Sequence, residues 1–344
     1  MLLHLFALLV AASTAVLIFA GGLVTSTGSG LSVPDWPTTY GWFMFTFPLD
    51  KMVGGIRYEH THRLIASGVG FLIVILAGWL WRAEPRAWVR TLGYAALAAV
   101  VTQGILGGIT VLWYLPDPVS IAHAGLAQLV FCATVSIALV TSPGWKKAYG
   151  SSRAVKARAA SQDRAASDAS AGDGNVRDAA RTLAVRDDRI LPRIALITTI
   201  LIYIQILVGA TMRHTDAGLA IPDFPLAFGR LIPPMWDAKI AVHFAHRVGA
   251  LIVASTVIAT AGHALYHHGR RGELRRPSLL LLALVAAQIT LGALTILSGR
   301  QFVINSLHVV TGAAVLGTSL VLTLRAHRPR FAFDATPQAY GSAA

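Results

Sequence analysis

Of 344 residues, 55% are apolar and only 13% charged, and the mean hydropathy is +0.60. A soluble domain carries about 25% charged residues, so composition excludes an ordinary soluble fold and indicates an integral membrane protein. The net charge of +13 would suggest nucleic acid in a soluble protein, but 20 of the 29 basic residues fall in alternate loops and the C-terminal tail, a distribution that membrane topology explains without nucleic acid.

Eight apolar stretches, roughly 2–24, 58–81, 91–113, 120–141, 190–212, 239–265, 278–298 and 303–325, are long enough to cross about 30 Å of hydrocarbon. None alternates polar and apolar residues as a barrel strand would. The first lacks the basic start of a signal peptide and has too long an apolar run, so it is read as a retained helix. It also has no Arg-rich transit character, which points to a bacterial plasma membrane. The basic loops follow the second, fourth and sixth stretches, so both termini are expected in the cytoplasm. Residues 151–188 are rich in Ala, Ser, Arg and Asp and lack the apolar groups needed for a core. The chain is therefore divided into an N-terminal four-helix bundle (1–141), a flexible cytoplasmic linker (142–189), a C-terminal four-helix bundle (190–325) and a cytoplasmic tail (326–344).

The two halves repeat one another. Gly30-Leu31-Ser32-Val33-Pro34-Asp35-Trp36-Pro37 returns as Gly218-Leu219-Ala220-Ile221-Pro222-Asp223-Phe224-Pro225. His62-Arg63 returns as His246-Arg247, Gln103 and Gly107 as Gln288 and Gly292, and His123 as His308. Offsets of 184 to 188 residues held along a whole half mark an internal duplication. The expected fold is all-α: eight transmembrane helices as two duplicated four-helix bundles. Their loops, about 25–57 and 213–238, are rich in aromatic residues and should cap each bundle at the outer interface.

The duplicated histidines carry the chemistry. His62, His123, His246 and His308 each fall about one turn inside the outer end of an apolar helix. A polar residue in hydrocarbon is costly and usually functional. Two facing helices with one imidazole each at matched depth supply the axial ligands of a haem iron. Zinc would need further converging ligands, and the single cysteine, Cys132, permits neither a thiolate cluster nor an intrachain disulfide. Arg63 and Arg247 can reach carboxylates such as haem propionates. Glu59 shares a helix face with His62 and is a candidate proton carrier; the second half has His243 there. His60, His214 and His243 are secondary, and His4, His263, His267, His268 and His327 fall where solvation accounts for them.

Together, Glu59-x-x-His62-Arg63, the Gly-Leu-x-x-Pro-Asp-Trp-Pro element followed by Gly41, His246-Arg247, and the late His123 and His308 resemble the haem A synthase family. The resemblance spans nearly the whole chain outside 142–189 and the tail. It implies oxidation of a ring methyl of haem O to a formyl group, giving haem A for terminal oxidases. It further implies that His246 and His308 ligate a resident haem b, that His62 and His123 hold the substrate haem, and that Glu59 is required for turnover. The partners it implies are haem O, an electron donor, a haem O synthase, oxidase assembly factors and further copies of the chain. One departure is plain: many members carry cysteines where this chain has Val33, Thr39, Ile221 and Ala227, so a mechanism needing a loop thiol cannot operate here. The main alternative from the same residues is a di-haem b-type electron carrier. A transporter would favour broken helices at the midplane, and a haem O synthase would need paired Asp-rich motifs; neither is present.

Overall fold

The computed structural model describes residues 1–147 and 188–331, with side chains to 328. Eight helices among these residues are long and apolar enough to cross a membrane: α1 (Leu2–Ser26), α2 (Gly54–Ala83), α3 (Ala87–Leu112), α4 (Asp117–Thr141), α5 (Ile190–His214), α6 (Ala238–His268), α7 (Gly272–Leu297) and α8 (Phe302–Phe331). The protein is thus an all-α, multi-pass membrane protein. Helix ends follow local chemistry. Pro85 stops α2 from running on into α3, Pro118 sits in the first turn of α4, and Asp237 caps α6 by accepting from the Ile240 amide at 2.7 Å.

In the first half α1 packs on α2 and α4, and α3 on the same two; in the second, α5 packs on α6 and α8, and α7 on the same two. The halves meet through α1, α4, α5 and α8, where Ile18, Phe131 and Ala313 form one apolar cluster. Large apolar side chains such as Leu9, Phe71, Leu251 and Leu280 face outward, the reverse of a soluble protein. Without a hydrophobic driving force between helices, close approach and polar contacts join them. Gly93 lies against Leu80, and Gly125 against Leu207. Thr198 bonds Thr260 at 2.8 Å, and Thr199 bonds both Ser319 and Thr323 at 2.8 Å.

Several helices begin before the expected apolar stretches: α2 at Gly54 rather than near 58, α3 at Ala87 rather than 91, α4 at Asp117 rather than 120, and α7 at Gly272 rather than 278, because polar first turns continue the helix beyond the apolar run. Helix α8 continues through Phe331, so the expected tail starts as helix. Most of the expected linker, and residues 332–344, lie outside the described residues. The described ends of the linker are anchored. Trp145 is buried, and Lys146 reaches Glu84 at 3.7 Å. Burial alone would raise the Glu84 carboxyl, but Arg86, at 2.6 Å, and Lys146 hold it below the usual carboxylate range.

Candidate functional site

The four repeated histidines occupy matched heights. His62 and His246 lie eight residues from the starts of α2 and α6, and His123 and His308 six residues from the starts of α4 and α8. At 1.5 Å per residue these depths are about 12 and 9 Å, deeper than the single turn expected. Each imidazole is half-buried and lies against a glycine of a neighbouring helix. A Cβ on Gly21 would lie 3.2 Å from His62 Nε2, and one on Gly107 3.2 Å from His123 Cε1. In the second half a Cβ on Gly209 would lie 2.9 Å from His246 Cε1, and one on Gly292 3.1 Å from His308 Cε1. Any side chain there would push the ring away. Gly21 and Gly209 were missed in the sequence, although the 188-residue offset of the loops relates them too.

The His246 and His308 ring centroids are 6.5 Å apart at an interplanar angle of 71°. Two imidazoles on one iron, with bonds of about 2.0–2.1 Å, have centroids about 6.3 Å apart, close to the separation of this pair. The Nδ1 atoms of His308 and His123 are buried without a partner, so each ring keeps an unused nitrogen. Glutamines steady the set: Gln205 donates to the His246 carbonyl at 2.7 Å and contacts its Nδ1 at 3.0 Å. Gln103 donates to the His123 carbonyl at 2.9 Å, and Gln288 contacts His308 Nε2 at 3.3 Å. In the first half His62 and His123 lie within electrostatic reach of one another.

Above each pair sits a loop built to one plan. Asp35 accepts from the amides of Tyr40 and Gly41 at 2.7 and 2.9 Å; Asp223 accepts from Phe228 and Gly229 at 2.7 and 2.8 Å. Tyr40–Gly41 and Phe228–Gly229 both have positive φ, the signature of a tight I′ turn, which explains the glycine. Burial alone would raise Asp35; the Gly41 amide, the Thr38 hydroxyl and the Tyr40 amide outweigh it and hold the carboxyl below the usual range. The Gly229 and Phe228 amides lower Asp223 likewise.

The arginines do something other than expected. Arg63 donates to the carbonyls of Val33, Asp35 and Thr38 at 2.9, 2.7 and 3.0 Å. Arg247 donates to those of Ile221, Asp223 and Leu226 at 3.1, 2.6 and 2.7 Å. The three acceptors correspond one to one between the halves. Most guanidinium donors are thus engaged by loop carbonyls rather than directed at a bound carboxylate, because each arginine lies under a loop whose backbone would otherwise lack partners. Glu59 is 3% exposed, pairs with Arg63 at 2.6 Å and accepts from the Val33 amide at 2.8 Å. His243 takes the equivalent place, accepting from the Ile221 amide at 3.2 Å. The two halves therefore present a carboxylate and an imidazole to the same loop amide. Thr39 contacts His60 Nδ1 at 3.0 Å, so His60 supports the loop. Where relatives with loop cysteines would place sulfur, Val33, Thr39, Ile221 and Ala227 are all buried.

Arg63→Ala is expected to open the first loop. It removes four charge-assisted bonds and leaves Glu59 buried and unpaired; breaking a buried pair costs about 3–5 kcal/mol. Limited proteolysis within residues 27–53 should accelerate, and Arg63→Lys should not restore resistance, since an ammonium cannot span three carbonyls. Unchanged cleavage would refute the clamp.

Arg213, near the end of α5, was not singled out by its sequence. It bridges the halves, donating to Gly22 O at 2.6 Å and Ser26 Oγ at 2.8 Å. Its Nε is buried without a partner, and it lies within electrostatic reach of His308.

Fold and site together define a multi-pass membrane protein with a pair of imidazoles in each set of four helices. Comparison with known proteins agrees. The family model described as cytochrome oxidase assembly protein matches residues 41–135 and 165–320. The chain is 28% identical to the haem A synthase of Geobacillus kaustophilus over 316 residues, 91% of this chain and 88% of that protein. It is 30% identical to the haem A synthase of Symbiobacterium thermophilum over 332 residues, 94% and 97% of the two. The chain belongs to the haem A synthase family of cytochrome oxidase assembly proteins.

Proposed function

We propose that the protein is a haem A synthase, oxidising a ring methyl of haem O to the formyl group of haem A. The two sets of four helices are read as duplicated units with divided roles. His246 and His308 hold a resident haem b, which supplies redox chemistry when bound, and His62 and His123 hold the haem O substrate. The observation carrying this reading is the asymmetry at one position: a carboxylate, Glu59, meets the loop amide in the first half, and an imidazole, His243, in the second. A pure electron carrier gains nothing from that difference. Written as a half-reaction, a methyl plus one water gives a formyl, four protons and four electrons; an external oxidant takes the electrons, and the protons must leave the site. Glu59 shares its helix face with His62, beneath a loop that excludes water, and is assigned as their first acceptor. The helix starts bearing the four histidines lie away from the basic loops, so the sites are assigned to the outer side and both termini to the cytoplasm.

The test is expression beside a haem O source, followed by haem extraction and chromatography. Haem A, or haem O beside haem b, supports the synthase; two b haems with neither would give the electron-carrier reading instead.

With Arg63 and Arg247 engaged by the loops, Arg213 is the better propionate partner. A buried guanidinium bonded only to a carbonyl and a hydroxyl lacks its counter-charge, and a propionate of the haem at His308 supplies one. A positive charge near a haem iron favours its reduced form. Arg213→Gln should therefore shift the midpoint potential of a haem bound at His308 in the negative direction in a redox titration. An unshifted potential would remove Arg213 from the haem environment.

A further inference from the structure

At the opposite end of the second half, three side chains used in metal chemistry converge. Asp188, just before α5, accepts at Oδ1 from the amides of Ile190 and Leu191, at 2.9 and 3.2 Å. Its Oδ2 accepts from His263 Nε2 at 3.0 Å and from His268 Nε2 at 2.7 Å. The three ligating atoms lie within 4.8 Å of one another. All three side chains are partly exposed, at 21%, 19% and 17%, so an ion in solution reaches them. His268 lies 22 residues beyond His246 on α6, about 33 Å along the axis, so this cluster is separate from the imidazole pairs. Its histidines were expected to be merely solvated; spacing alone did not reveal that Asp188, 75 and 80 residues away, folds back onto them.

We propose that Asp188, His263 and His268 form a site for one divalent transition-metal ion of the zinc class, with water in the fourth position. Two imidazoles and a carboxylate are a recurrent three-ligand set for such an open tetrahedral site. With bonds of about 2.0–2.1 Å, neighbouring ligand atoms of a tetrahedron stand about 3.3 Å apart. The two carboxylate–imidazole contacts, at 3.0 and 2.7 Å, open to this spacing by about 0.3 and 0.6 Å, and the imidazole nitrogens, within 4.8 Å of one another, settle at the same spacing, which partly exposed side chains can do. Arg270 and Arg271 line the same surface cleft as His268. Their charge opposes hard cations held by electrostatics alone, whereas imidazole donors suit a borderline ion. A bound ion would fasten the segment entering α5 to the last turns of α6.

The test uses full-length, haem-loaded protein purified without a polyhistidine tag. Zinc is titrated in competition with a chromophoric chelator. Wild type should take up one equivalent, lost in the His263→Ala/His268→Ala double variant, with the haem spectrum unchanged. Asp188→Asn, which keeps the cap on α5 but removes the anionic ligand, should also lose it, while His267→Ala should retain it. Equal uptake by wild type and the double variant, or no uptake by wild type, would overturn the site.

Discussion

His308→Ala is expected to abolish the low-spin b-type absorption of the purified protein while its helices remain intact by circular dichroism. The ring it removes stands 6.5 Å, centroid to centroid, from His246, and Gly292 is shaped to receive it. Among the described residues no other imidazole pairs with His246 in this way. Truncation leaves a space beside Gly292 rather than a new contact, so added imidazole should restore part of the low-spin spectrum. A merely structural histidine would not respond to imidazole. His62→Ala or His123→Ala should leave that spectrum in place and stop haem A formation. Full absorption in both His246→Ala and His308→Ala would sink the assignment of the halves.

Glu59→Gln is expected to lower turnover by about 10²–10⁴-fold, the range attributed to a placed proton-transfer group, with a partly oxidised haem accumulating. The amide can still accept from the Val33 N–H, so the loop keeps one of its fastenings. Glu59→His is the sharper variant, because it installs the group that the second half uses against the equivalent Ile221 amide. If loop support were the whole role, Glu59→His would be active; if proton transfer to a carboxylate matters, it would be inactive with haem b retained. Wild-type haem A yield from both variants would make Glu59 structural.

The eight helices were legible because lipid demands long apolar runs, and the histidines because they recur at matched spacing in the two halves of the sequence. The partners of Arg63 and Arg247 were not. Backbone carbonyls of Val33, Asp35 and Thr38 carry no sequence signature, so an arginine beside a ligand was read as serving that ligand. The burial of Glu59 was hidden for the same reason: it depends on how the 27–53 loop folds over α2, not on the helix itself. Arg213 was invisible because its partners, Gly22 and Ser26, belong to the other half and gain meaning only when α1 and α5 are brought together.

The way the loops are closed has a consequence for the conditions under which the protein can work. A sulfur-based fastening opens when the surroundings become reducing. Here the fastening is a guanidinium on three carbonyls, and it holds no redox-active bond. Reductants and thiol-blocking reagents have no target in either loop, since Cys132, the one cysteine in the sequence, lies within α4. The arginine fastening of each loop therefore contains no bond that a reductant or a thiol reagent can break.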